Sequence, residues 1–196
     1  LETNHKNSWE SSLSTLTFSC IDCSNRRLIT SNYNCQTKLL NFNSGTEIPI
    51  LNLICPSTFI NFMKCAMFGT REYYVCSSWD KQLMAFSEIE KGDFELVRSY
   101  KGHKNDITAI TEYSDGFISG DIGGFIFEWT LETNMPKCSY ELETSVECLQ
   151  VIDHFLFVGD GEGKLHVFSL PKLVLIKTII AHEIPKPHLL LSMNYD

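Results

Sequence analysis

Positive charge is scarce in this sequence. Its 196 residues include 16 lysines and arginines against 24 aspartates and glutamates, so the formal net charge at pH 7 is −8. Nucleic-acid grooves and anionic membrane surfaces are bound through basic patches, and this balance argues against both as partners. No apolar run approaches the ~18 residues that a membrane span requires. We therefore expect no nucleic-acid binding and no direct insertion into a membrane.

Motifs for catalysis and for metal binding are also missing. The stretch Gly159–Lys164 (GDGEGK) resembles a phosphate-binding loop, but its glycine spacing is one residue short and Leu165 stands where Ser or Thr is required. Cys20 and Cys23 form the sole C-x-x-C, and no second pair or histidine cluster completes a zinc site. G-x-S-x-G and H-E-x-x-H do not occur. We predict a protein that is not an enzyme and that has no metal and no cofactor.

Cysteine usage points to a reducing compartment. The eight cysteines are scattered through apolar segments instead of forming the dense framework of a small secreted domain. In such segments a reduced cysteine behaves as a small apolar side chain. The sequence therefore predicts a cytoplasmic protein, with any membrane association supplied by other domains of a longer chain.

The sequence does contain short apolar runs separated by turn residues, and these repeat. The stretch 100–131 has three such runs, with a polar turn after the first and Gly123-Gly124 after the second. Four large aromatics end equivalent runs at spacings of 86−42=44, 129−86=43 and 168−129=39, close to the roughly 40–45 residues of a propeller blade. These aromatics are Phe42, Phe86, Trp129 and Phe168.

We predict an all-β fold, a β-propeller of four blades at about 13–54, 59–100, 106–143 and 145–180. A polar tail (1–12) precedes them, and the first strand of a fifth blade begins within 182–196, with His188–Tyr195 as its apolar run. Four blades do not close a ring of six to eight, and the chain begins with Leu1. We therefore expect a segment of a larger ring, with open sheet edges that allow self-association as the alternative.

The repeats resemble WD repeats. In that family a His, a Ser or Thr, the Trp, and an Asp in the turn form a buried hydrogen-bond network, and His103, Ser119 and Trp129 match three members. Counting six residues back from the aromatic, the Asp position holds Gly123, so the network is expected to lack its acid. The other repeats hold Gln36, Asp80 and Glu162 there.

A narrower resemblance covers SSWDKQLMAFS (77–87), YKGH (100–103) and GDGEGKLHVFSL (159–170). These segments are similar to the C-terminal propeller of BEACH-domain proteins, including the factor associated with neutral sphingomyelinase activation. The resemblance implies a propeller within a large scaffold of vesicle traffic. The sequence leaves three functions open: a protein-interaction scaffold, a structural subunit of a coat or other assembly, and a ligand-binding or enzymatic propeller.

The expected partners are proteins or peptides, bound where turns and connections converge at one end of the blades. We call this end the loop face, and we place Trp79, Ile122, Lys104 and Asn105 on it. A tryptophan beside an apolar neighbour is a reasonable interaction hot spot. The alternative for Trp79 is that its ring folds back over Phe86.

Overall fold

The computed structural model describes residues 18–24, 27–32, 37–41, 44, 46–48, 60–68, 71–78, 81–90, 93–114 and 116–182. Within these ranges the chain has strands, turns and connections and no helix, so no helix there could cross a membrane. The all-β prediction is confirmed. The expected tail (1–12) and the run His188–Tyr195 lie outside the described residues.

The described residues contain sixteen strands, which form four separate four-stranded sheets, and in each sheet the strands pair antiparallel in sequence order. Sheet 1 contains β1 (Phe18–Ser24), β2 (Arg27–Asn32), β3 (Thr37–Asn41) and β4 (Glu47–Ile48). Sheet 2 contains β5 (Ile60–Phe68), β6 (Arg71–Ser78), β7 (Leu83–Glu90) and β8 (Asp93–Tyr100).

Sheet 3 contains β9 (Ile107–Tyr113), β10 (Gly116–Asp121), β11 (Phe125–Thr130) and β12 (Cys138–Glu141). Sheet 4 contains β13 (Val146–Ile152), β14 (Phe155–Asp160), β15 (Lys164–Ser169) and β16 (Val174–Ile180). Four small consecutive meanders are consistent with a β-propeller-like fold.

The sheets adjoin through their first strands, with β5 beside β1 and β9, and β9 beside β13. Side chains alternate across a strand, so each sheet offers one apolar face to each neighbour. Phe117 and Trp129 of sheet 3 pack with Val75 of sheet 2, whereas Ile118 and Ile126 pack with sheet 4. The core is therefore a stack of sheet-to-sheet layers.

Sheets 2, 3 and 4 share a backbone conformation in the turn between their second and third strands. Gly124 has φ 90°, and Gly163, at 124+39=163, has φ 77°. In sheet 2 the matching residue is Lys81, at 124−43=81, with φ 66°. Glycine adopts this left-handed conformation without the steric cost that a side chain adds. The repeat inferred from the aromatics therefore extends to the turn geometry.

Candidate functional site

A buried hydrogen-bond chain runs through sheet 3 below the loop face. Nε1 of Trp129 donates to Oγ of Ser119 at 2.7 Å, and that oxygen lies 2.6 Å from Nε2 of His103. Nδ1 of His103 lies 2.7 Å from Oδ2 of Asp121. With a neutral imidazole carrying its proton on Nδ1, every donor in the chain meets an acceptor. These four side chains are a complete polar network.

The expectation that this network lacks its acid because of Gly123 is therefore wrong. The acid is Asp121, the last residue of β10, eight residues before the aromatic (129−121=8) instead of six. Its other oxygen, Oδ1, accepts the backbone N–H groups of Gly123 at 2.9 Å and Phe125 at 3.0 Å. From the end of the strand, the carboxylate of Asp121 reaches the turn amides and the histidine together.

Sheet 4 has an aspartate at the equivalent position, but its histidine partner comes from a different part of the chain. Asp160, at 121+39=160, accepts the backbone N–H groups of Glu162 and Lys164 at 3.0 and 2.7 Å. Its Oδ2 lies 2.8 Å from Nε2 of His166, whose Nδ1 lies 2.9 Å from Oγ1 of Thr178. The histidine thus comes from β15, and Glu162 instead pairs with Lys164 at the surface. Asp160 was not predicted from the sequence, although a Gly-Asp pair ends both β10 and β14.

The hydrogen bonds among Ser119, His103 and Asp121 have the order of a catalytic triad. Burial, however, keeps a substrate from reaching the serine oxygen. The side chains of His103 and Asp121 are 1% and 0% exposed, and Ser119 is fully buried. The serine oxygen also accepts the indole N–H of Trp129. A nucleophile needs contact with its substrate. The arrangement in sheet 3 can hold structure together and cannot reach an incoming carbonyl.

The thiol of Cys138 is also a poor nucleophile. Its Sγ donates to Oε2 of the buried Glu128 at 3.1 Å, and Lys137 pairs with the other carboxylate oxygen at 2.8 Å. Burial and the Glu128 hydrogen bond raise the pKa of the Cys138 thiol to about 12. The reactive species is the thiolate, which is scarce at neutral pH when the pKa is this high.

Aromatic rings enclose the network of sheet 3. Tyr100 meets Phe117 and Trp129 edge-on, with ring centroids 5.0 and 5.4 Å apart, and Phe127 meets the ring of His103 at 4.7 Å. Burial raises the pKa of Tyr100. Its buried hydroxyl has no hydrogen-bond partner among the described residues. A desolvated, unpaired hydroxyl costs stability.

Tyr100→Phe is therefore expected to raise the free energy of unfolding, by about 1 kcal/mol. Above pH 10, the ordinary pKa of tyrosine, the unfolded chain ionises this phenol while the folded protein keeps it neutral, so the wild type loses stability as pH rises. The advantage of the variant should grow from pH 9 to pH 11. Urea unfolding at these two pH values, with Tyr140→Phe as the control, measures it. A destabilised Tyr100→Phe would reveal a partner for the hydroxyl.

Three of the four predicted loop-face residues lie together. Ile122 is 57% exposed, and its backbone N–H donates to the carbonyl of Asp106 at 3.0 Å. Asn105 contacts Gly123 so closely that a Cβ there would lie 2.1 Å from Nδ2. Lys104, next to Asn105, is exposed. The turn after β10 and the connection before β9 therefore form one surface around Ile122. Trp79 and Asp80 lie outside the described residues.

A groove opens beside this surface, between the outer strands of sheets 3 and 4. It encloses about 590 Å³. Among its lining residues, Glu141, Glu143 and Glu162 are exposed carboxylates, and Leu175 and Ile180 are exposed apolar side chains. The described residues contain no group of three or more His, Cys, Asp or Glu side chains placed to hold a metal ion.

Comparison with known proteins gives a likeness of fold. No family model and no curated protein matches the chain. The computationally designed Ika4 protein is similar, with a TM-score of 0.67 and 17% identity, over 80% of this chain and 93% of that chain. The designed Ika8 protein has a TM-score of 0.60 and 11% identity over 85% of this chain, which spans 62% of the Ika8 chain. At these identities the likeness concerns the fold alone: an all-β arrangement of small antiparallel sheets.

Proposed function

We propose that the protein is a non-enzymatic interaction scaffold, a WD-repeat propeller segment that binds other proteins or peptides through its loop face. The observation that carries the proposal is Ile122, a large apolar side chain that is more than half exposed on a turn with a fixed backbone. Lys104 and Asn105 supply a polar rim beside it. An apolar anchor within a polar rim is the usual anatomy of a protein–protein interface.

The rigidity of the turn supports this role. The amide of Ile122 is held by Asp106, and those of Gly123 and Phe125 by Asp121, so the backbone on both sides of Ile122 is tied to the folded sheet. A side chain presented in one conformation binds with a smaller loss of entropy than one on a mobile loop. The partner chemistry that fits is an apolar pocket with an acidic group placed to meet Lys104.

Site-specific photocrosslinking tests the proposal. With p-benzoyl-phenylalanine in place of Ile122, illumination in a cytosolic extract should give discrete adducts, and Lys104→Glu should abolish them. The matched control carries the same photoprobe in place of Met135. That side chain is also 57% exposed, but it lies in the connection between β11 and β12, whereas Ile122 lies in the turn between β10 and β11.

The position-122 probe and the position-135 probe should give different adducts. Identical adducts from both positions would reflect general stickiness of the chain, and the loop-face assignment would then be wrong. The same conclusion follows if the position-122 adducts persist in full when Lys104 is reversed in charge.

A second candidate function is that of a structural subunit in a larger assembly. It is favoured by β16, where Val174, Ile176 and Ile180 are 53%, 54% and 68% exposed on the outermost strand of sheet 4. An exposed apolar edge strand is a place where another chain adds on, including a second copy of this one. Both candidates are compatible with a cytoplasmic protein of vesicle traffic that has a BEACH-type propeller.

A further inference from the structure

The groove between sheets 3 and 4 combines two features, an acidic rim and an apolar wall, that together suit one kind of ligand. Its rim is acidic, with Glu141 and Glu143 on the sheet 3 side and Glu162 on the sheet 4 side. Its wall is apolar, because Leu175 and Ile180 turn their side chains into it from β16. Leu175 is 37% and Ile180 68% exposed, so both retain apolar area that a ligand could cover.

Most of the negative charge at the rim is not neutralised within the described residues. Glu162 pairs with Nζ of Lys164 at 2.6 Å, and this ion pair is exposed. Glu141 and Glu143 form no ion pair with a described residue. The one lysine of the lining, Lys164, pairs with Glu162 and also interacts electrostatically with Glu143, so it offsets one of the three negative charges. In a chain of net charge −8, this field attracts cationic groups and repels anionic ones.

The innermost residues of the groove have their hydrogen bonds satisfied within the protein. The residues of the rim are therefore the ones that determine what binds. His166 is held between Asp160 and Thr178, and the second oxygen of Asp160 accepts two backbone N–H groups. The floor therefore has a fixed shape. A volume of about 590 Å³ is within the range of sites that take a few side chains.

We propose that this groove binds an extended peptide segment in which lysine or arginine alternates with large apolar residues. The basic side chains lie against Glu141 and Glu143, and the apolar ones cover Leu175 and Ile180. Alternation follows from the period of an extended chain, which sends successive side chains to opposite sides. The segment is thus a second ligand, distinct from whatever Ile122 contacts.

Fluorescence anisotropy with defined peptides tests this. The probe is a fluorescein-labelled peptide of alternating lysine and leucine; one comparison peptide has glutamate for lysine, the other serine for leucine. The lysine–leucine peptide should bind saturably and more weakly as salt rises. The double variant Glu141→Gln/Glu143→Gln should raise its dissociation constant roughly tenfold, which corresponds to about 1.4 kcal/mol. Leu175→Ser should also weaken it.

The control is Glu95→Gln/Glu132→Gln, which removes the same charge from exposed positions outside the groove. It should leave the dissociation constant within about twofold, because neither glutamate lines the groove. The proposal is overturned by any of three results: no saturable binding, equal weakening by the control pair, or equal affinity for the lysine–serine peptide. Photocrosslinking at position 122 does not depend on these results, so the two proposals fail separately.

Discussion

Trp129→Ala is expected to lower the free energy of unfolding by about 3–5 kcal/mol, the range for deleting a large buried ring. Trp129 is 1% exposed and touches Tyr100, Phe117 and Phe127 through ring contacts. Its loss leaves a cavity between sheets 2 and 3 and removes the indole donor from Ser119. Urea unfolding followed by circular dichroism measures the change.

Trp129→Phe is the informative control, because phenylalanine already fills the equivalent position in sheets 2 and 4. Phe86 and Phe168 are 1% and 0% exposed there. This variant keeps most of the ring volume and loses the N–H donor, so it should cost less than half as much as Trp129→Ala. If both variants cost the same, the hydrogen bond outweighs the packing of the ring, contrary to this account.

Asp121→Ala is expected to cost about 3–4 kcal/mol, a large effect for a side chain of this size. One carboxylate accepts from His103, Gly123 and Phe125, and hydrogen bonds to charged acceptors contribute roughly 1.5–3 kcal/mol each. Part of this lost free energy is recovered, because in the variant the turn amides can donate hydrogen bonds to water. Since Asp121 completes the network, His103→Ala should also be clearly destabilising.

Asp160→Ala is the matched test in sheet 4. It also loses one histidine partner and two turn amides, and in each variant the histidine keeps its other partner. His166 is the less buried of the two histidines, with 9% of its side chain exposed against 1% for His103, and its partner Thr178 is exposed, so water can replace more of the lost contacts. We expect a smaller effect than for Asp121→Ala, measured in the same urea series, with the exposed Glu132→Ala as a neutral reference. An Asp121 variant as stable as the reference would mean that the network does not contribute to folding.

The repeating unit could be predicted from the sequence because strands alternate apolar residues and glycine marks their turns. In sheet 4 the strands run over Val146–Ile152, Phe155–Asp160, Lys164–Ser169 and Val174–Ile180, and short turns separate them. The aromatics at 86, 129 and 168 all lie on third strands. Phe42, which began the series, lies outside the described residues.

The polar network could not be read correctly because its acid was sought in the turn. A hydrogen bond depends on where a side chain points, and Asp121 sits at the end of a strand whose last pairing is irregular, between Gly120 and Asp121. The role of His166 was harder to predict, because nothing in the sequence shows which residue a histidine inside a strand will contact. The groove joins residues from two sheets, and sequence periodicity within one sheet cannot show it.

The turns after β10 and β14 are each held by a backbone hydrogen bond to the residue that precedes the first strand of the same sheet. The amide of Ile122 bonds to the carbonyl of Asp106, and the amide of Gly161 bonds to that of Ser145, both at 3.0 Å. These bonds use backbone atoms alone. The same backbone arrangement therefore carries the large side chain of Ile122 in sheet 3 and a glycine, Gly161, in sheet 4. The side chain at this turn position can therefore differ between the two sheets while the backbone bond that holds the turn stays the same.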